Sequence, residues 1–307
     1  MTPARPPAIE TSPEVEAALA AGRAVVALES TIIAHGFPRP DNIEVARAME
    51  AAVREAGAVP ATVAVLGGVV RVGLAAAELE RLAFGADVAK CSTRDLAFVR
   101  ATGGDGATTV AATARLAAAA GIAVFATGGI GGVHRGAGTS FDVSADLVEL
   151  GRTRVAVVCS GAKSILDLAA TCEALETHGV AVIGFRCDEF PAFYSRESGL
   201  GLTRTVADVT ALAAVVRSHR DLDLPGGLVV CNPPPADVAL ARDELNALVE
   251  RALSLAAAEG VGGGALTPFL LAALDRLSKG RTRAVNRALA VGNAALAGRL
   301  ASALAAG

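Results

Sequence analysis

Short apolar runs rich in Val and Ala recur along the chain, most of them continuous rather than alternating and most ending on Gly, Ser or Thr. Continuous runs of this kind suit strands buried on both faces of a parallel sheet. They predict strands at 24–28, 62–66, 88–91, 122–126, 155–159, 180–184 and 228–231. Between them, 41–56, 108–120, 164–178 and 206–220 carry apolar residues at helical spacing, as Ile43, Ala46, Met49 and Val53 do in the first. Strand–helix alternation over this length predicts an α/β fold, a three-layer α/β/α sandwich with a mostly parallel central sheet. Beyond Pro233-Pro234-Pro235 the chain reads as a helical C-terminal region, broken at Gly262-Gly263-Gly264 and near Gly280. The triple proline reads as a loop. The expected organisation is therefore one domain over 13–307, preceded by a Pro-rich, frayed arm over 1–12.

Composition narrows the function. No run of about 18 uncharged apolar residues is present, so no transmembrane helix is expected. The N-terminal stretch MTPARPPAIETSPEVE has prolines and acids where a signal peptide needs an apolar core, so a cytoplasmic protein is expected. A net charge of −3, no Trp and 3% aromatic residues argue against a nucleic-acid partner, which needs a basic surface or stacking platforms. The five cysteines are widely spaced with no CxxC pair, which favours reduced thiols over a zinc site or a disulfide framework. Of the 28 Lys and Arg residues only Lys90, Lys163 and Lys279 are lysine. A lysine retained in such a chain is a candidate for chemistry that a guanidinium cannot do, such as nucleophilic attack by a free amine.

In open α/β sheets, ligands gather beyond the carboxyl ends of the strands, and here the polar clusters fall at such ends. The first strand runs into Glu29-Ser30-Thr31, where Glu29 reads either as an acid/base or as a cap or Arg partner. Lys90 follows the third apolar run and reads as pointing into a cleft or as a structural lysine with a buried stem. The fourth strand leads into Thr127-Gly128-Gly129-Ile130-Gly131-Gly132-Val133-His134-Arg135, which matches neither dinucleotide nor P-loop spacing. Its successive backbone N–H groups suggest an anion cradle, with His134 and Arg135 adding positive charge; the alternative is a mobile turn. Asp142 and Asp146, four apart, are expected on one helix face, either beneath a hydrated divalent cation or as a solvated first turn with Asp142 as N-cap. The fifth strand leads into Ser160-Gly161-Ala162-Lys163, and the predicted helix at 164 puts Lys163 at the positive end of its dipole, a field that favours the free amine.

Six stretches, ALESTIIAHGFPRPDN (27–42), AKCSTRDL (89–96), GATTVAATARLAAAAGIAVFATGGIGGVHRGA (106–137), FDVSADLVEL (141–150), CSGAKSILD (159–167) and FPAFYSRESG (190–199), occur in order. Together they resemble the pseudouridine-5′-phosphate glycosidase family, also named after an indigoidine-synthesis protein. The resemblance implies a homotrimer that binds Mn²⁺, one ion per subunit, and reversibly splits pseudouridine 5′-phosphate into uracil and ribose 5-phosphate. By motif match it implies a covalent role for Lys163, proton transfer by Glu29 and metal binding by Asp142. It also implies substrate contacts from Lys90, Thr109, Val110, Thr127, His134, Ser144, Ala145, Asp146 and Asn286.

The chemistry accounts for these residue types. The base is joined through carbon, so protonating a ring nitrogen or oxygen gives no leaving group, and the paired carboxylates of ordinary glycosidases are insufficient. A lysine bonded to C1′ of the opened ribose can carry that carbon as an imine, and uracil leaves once its C5 is protonated. Two readings from other classes use part of the same apparatus: a Schiff-base aldolase acting on another phosphosugar, and a non-catalytic nucleotide-binding module.

Overall fold

Seven parallel strands form the spine of the computed structural model, which describes residues 9–262 and 266–307. The chain begins with β1 (Ile9–Thr11), α1 (Pro13–Ala20), β2 (Val25–Leu28), α2 (Thr31–Ala34), α3 (Asp41–Glu55), β3 (Val59–Leu66), β4 (Val69–Val72), α4 (Ala76–Phe84), β5 (Val88–Cys91) and α5 (Leu96–Thr102). There follow β6 (Asp105–Thr108), α6 (Val110–Ala119), β7 (Val124–Ala126), β8 (Val133–His134), α7 (Ala137–Ser140), α8 (Ala145–Leu150), β9 (Ala156–Cys159) and β10 (Leu166–Asp167). The rest comprises α9 (Leu168–Thr177), β11 (Ala181–Phe185), β12 (Thr205–Val206), α10 (Val209–Asp221), β13 (Leu228–Cys231), α11 (Arg242–Ala258), α12 (Leu266–Leu277) and α13 (Arg281–Ala305).

The spine has the order β3-β2-β7-β9-β13-β11-β12. In register, Val26 lies beside Val124, and Val157 sits between Phe125 and Val229. Every residue of β2, β9 and β13 is buried, each large apolar side chain contributing about 1.5–3 kcal/mol relative to exposure. Helices cover both faces, as the three-layer reading expects. On one, α13 lies across β2, β7 and β9 with α3 and α10 beside it; α6 and α8 pack together, with α6 against β2, β3 and β7.

All seven predicted strands are present, but the sheet is larger than predicted. β3 is longer than its predicted second half: Val59–Thr62 pairs with β2, and beyond it Val63–Leu66 runs antiparallel to β4. β6 also pairs with β3 and carries β5 alongside. β5 is therefore not buried on both faces, and Ala89 and Lys90 are exposed. The frayed arm is corrected over 9–12: β1 pairs in parallel with β4, and Ser12 caps α1 by accepting from the Val15 N–H (3.3 Å). Residues 1–8 of that arm lie outside the described residues, as do Gly263 and Gly264 of the predicted glycine break. The break at Gly280 is observed, with φ +83° at the cap of α13.

α13 has the length and apolarity of a membrane span, but Leu289, Ala290, Leu296, Ala297 and Leu300 are buried and the helix packs on the sheet and on α3. The five cysteines are free thiols; burial raises Cys91 to about 11 and Cys159 to about 12, so both are protonated and inert at neutral pH.

Candidate active site

Polar side chains converge where the parallel strands stop. Glu29 follows β2, Thr127 follows β7, Ser160 follows β9 and Asn232 follows β13. Glu29 is only 9% exposed. Burial lifts its carboxyl above the usual range, opposed by the positive charge of Lys163 and by the Thr127 hydroxyl, which donates to Oε1. Asp146 and Lys90 act on the same carboxyl from further off, so these charged groups share one cleft.

Lys163 does not stand at a helix start. After it the chain turns, forms β10 against β8, and only then enters α9, capped by Asp167 accepting from the Ala170 N–H (3.0 Å). Lys163 therefore lies outside the first turn of that helix, contrary to the expected placement. A backbone zip between the loops after β7 and β9 positions the lysine instead. Ser160 N donates to Gly128 O (2.9 Å), Ile130 N to Gly161 O (3.0 Å), and Lys163 N to Ile130 O (3.2 Å). Lys163 Nζ then donates to Gly129 O (3.2 Å).

The glycine loop is therefore built for close packing as much as for anions. A Cβ on Gly129 would strike the Phe193 ring, and one on Gly131 would strike Ser144 and Asp146. Gly131 N donates to Asp146 Oδ2 (2.8 Å) and Val133 N to Thr171 Oγ1 (3.0 Å), so these N–H groups already have partners. Burial holds the His134 pKa below its usual value despite Asp142 nearby, so at neutral pH it adds no charge. Arg135 turns away to Glu250 on α11 (2.7 Å).

Asp142 and Asp146 do not share a helix face. Ser144, not Asp142, caps α8 by accepting from the Asp146 N–H (3.2 Å). Asp146 is buried and uses both oxygens to clip the site together, accepting from Ala111 N at the start of α6 (2.9 Å) and from Gly131 N. Asp142 lies before α8 at the rim, half-buried, 3.8 Å from His134 Nδ1.

The remaining predicted residues fall around this centre. Lys90 is exposed as a residue, yet enough protein surrounds it that desolvation, then Lys163, lowers its pKa. Thr109 caps α6 by accepting from Ala112 N (3.4 Å), Val110 is buried behind it, and Ala145 is exposed on the first turn of α8. Asn286 on α13 lies beside Gly128, with its Oδ1 3.5 Å from where a Cβ on that glycine would stand, and this oxygen is buried with no hydrogen-bond partner among the described residues.

Asn293 and Ser160 form a buried polar knot that the sequence reading missed. Asn286 and Asn293 are seven residues apart on an otherwise Ala- and Leu-rich helix, hence on one face. Two amides on the buried stripe of such a helix are the signal that was available.

A buried carboxyl and a lysine lie at the strand ends of a mostly parallel sheet, the place where α/β enzymes hold their ligands. The family model for Indigoidine synthase A like protein matches residues 14–303, and the chain belongs to that family. It is 54% identical over 293 residues to the pseudouridine-5′-phosphate glycosidase of Herpetosiphon aurantiacus, covering 95% of this chain and 97% of that one. With the enzyme of the same name from Paracoccus denitrificans it shares 55% identity over 302 residues, 98% of this chain and 99% of the relative. Its fold matches the crystal structure of the prealnumycin C-glycosynthase AlnA in complex with ribulose 5-phosphate, with TM-score 0.90, 41% identity and 97% of each chain covered. An indigoidine synthase A-like protein from Thermotoga maritima aligns with TM-score 0.87 and 38% identity over 97% of this chain and 96% of that one.

Proposed function

We propose that this chain reversibly cleaves the C–C glycosidic bond of pseudouridine 5′-phosphate to uracil and ribose 5-phosphate, through a covalent adduct on Lys163. The observation that carries the reading is the placement of Lys163 beside Glu29, a carboxyl that burial keeps inclined to hold its proton. Lys163 Nζ, as the free amine, bonds to C1′ as the C1′–O4′ bond opens, and O4′ takes up a proton. Glu29 then protonates uracil C5. The electrons of the C1′–C5 bond return to the pyrimidine ring, while the lone pair of the lysine nitrogen fills C1′ to leave an iminium. Water hydrolyses that iminium, releasing ribose 5-phosphate and the free lysine, and the proton set free returns to the Glu29 carboxylate.

Lys90 at the mouth is the cation best placed for the phosphate, since Arg135 is engaged elsewhere and His134 is neutral. Asn286 offers its unpartnered oxygen as an acceptor for a ring N–H of the base. Among the described residues no three His, Cys, Asp or Glu side chains gather as a metal cluster, so an Mn²⁺ at the rim would rest on Asp142 with water completing its shell. Asp142 is a hard, partly solvated oxygen donor whose one basic neighbour within 4.0 Å among the described residues is the neutral His134. When bound there, the ion would supply positive charge at the phosphate side of the cleft. The homotrimer is supported by the sequence resemblance and by Phe141 and Val143, apolar and exposed beside the site. A cytoplasmic location accords with the free cysteines.

Incubation of the protein with Mn²⁺ and pseudouridine 5′-phosphate should release uracil, followed by chromatography. Borohydride with ribose 5-phosphate should fix the sugar on Lys163, read by peptide mass spectrometry. Release of an aldehyde fragment from another phosphosugar, with no uracil from this one, would assign the site to an aldolase instead.

A further inference from the structure

We infer that Asn293 is a positioning residue for the proton transfer, holding Thr127 and hence Glu29 in register with Lys163. The inference rests on the reading of the site given above. Asn293 is fully buried, and its amide is spent on the ends of three adjacent strands. Its Nδ2 donates to the carbonyls of Thr127 (2.8 Å) and Gly128 (3.2 Å) and to Ser160 Oγ (3.2 Å). Its Oδ1 accepts from Asn232 Nδ2 (2.9 Å). Ser160 Oγ in turn donates to Asn232 O (2.8 Å), which closes the knot.

The knot touches neither carboxyl nor amine, but it fixes the backbone beneath both. Thr127, whose carbonyl Asn293 grips, is the residue whose hydroxyl meets Glu29. Ser160 opens the loop that carries Lys163, and its N–H joins the zip to Gly128. One side chain from α13 thereby sets the spacing between the two loops on which the reaction depends. A purely apolar residue would fill the same space more cheaply, since burying an amide is favourable only when all its hydrogen bonds are made. Removing the anchor frees Thr127 to rotate. Glu29 then loses the hydrogen bond that opposes its burial, so its pKa moves further up.

The test compares wild type with Asn293→Leu, which keeps the branched shape and the number of heavy atoms but is bulkier and lacks the amide, and with Ser160→Ala, which trims the knot and leaves the packing. Lys163 keeps its own bonds to Ile130 O and Gly129 O in both variants, so both should bind substrate with a KM near that of wild type and form the borohydride-fixed ribose 5-phosphate adduct at the normal rate. The kcat for uracil release should fall, by about 10²-fold for Asn293→Leu given the cost of misplacing a catalytic group by an ångström, and by less for Ser160→Ala. The high-pH limb of kcat, set by the protonated carboxyl, should move to higher pH in both. A folded Asn293→Leu with unchanged kcat would overturn the inference, as would a loss of kcat, KM and adduct together with no shift of the limb. Should that variant not fold, an unchanged kcat and pH profile in Ser160→Ala overturns it. Absence of the adduct from wild type, by contrast, would strike the covalent mechanism and not the positioning.

Discussion

The floor and the rim of the cleft are built on opposite terms. At the floor, Glu29, Thr127, Ser160 and Asn293 are buried at the ends of packed strands, and each hydrogen-bonds another of the four. At the rim, Phe141 is 85% exposed in the left-handed region, Asp142 faces an imidazole across 3.8 Å, and Ala145 lies open. The floor can hold its polar groups in one geometry, and by excluding water it raises the pKa of the Glu29 carboxyl. The rim can exchange water, ions and phosphate. On the proposed mechanism, bond making belongs to the first and substrate capture to the second.

Experiments that break the floor should give the largest effects. Lys163→Ala and Lys163→Arg should both lose uracil release down to assay background, because a guanidinium stays protonated and is not nucleophilic. Substantial turnover by either would end the covalent mechanism. Glu29→Gln keeps the shape but cannot give a proton, and its kcat should fall by about 10²–10⁴-fold; a change under threefold would reassign the donor. At the rim the effects should be smaller and recoverable. Unphosphorylated pseudouridine should lose about ten- to a hundredfold in kcat/KM, the worth of one charge-assisted contact, and equal values for nucleoside and nucleotide would remove the phosphate anchor. Asp142→Ala should raise the Mn²⁺ concentration needed for half-maximal activity and leave kcat at saturating metal close to wild type. Full activity after rigorous chelation, with no metal found by elemental analysis, would take the ion out of the reaction.

The smallest effect is thermodynamic. Glu29 titrates higher folded than unfolded, so between those two values the native state holds more protons and stability falls as pH rises. Glu29→Gln removes that loss. Its Tm should match wild type at acidic pH and exceed it progressively as pH rises above the ordinary carboxylate range. A gap independent of pH would show that the buried carboxyl is not the cause.

The difference between floor and rim also explains what could be read from sequence. The spine was legible because strands buried on both faces must be continuously apolar, and the polar residues that follow them then have nowhere to go but the cleft. Two of the three lysines, Lys90 and Lys163, do reach it, whereas Lys279 sits in the turn before α13 with φ +55°. β6, Asp-Gly-Ala-Thr, was missed because it carries no large apolar side chain, whereas β4, Val-Val-Arg-Val, was legible as the second arm of a hairpin through Gly67-Gly68 and was overlooked. The start of α9 was misplaced because Ser164 and Asp167 are both competent caps. Pairing of Leu166 and Asp167 with β8 decided for the later one. In the glycine loop, side-chain crowding and phosphate cradling ask for the same residue, so spacing could not separate them.

That α13 supplies the keystone has a consequence in time. Asn293 meets Thr127 across 166 positions of chain, and α13 follows every strand in the order of synthesis. A nascent chain can pair its sheet and bring Glu29 and Lys163 to the same edge while the two loops are still unlatched. Closing contacts this distant is the slow part of folding. Catalytic competence should therefore arrive after the bulk of the secondary structure, as a separate and later event.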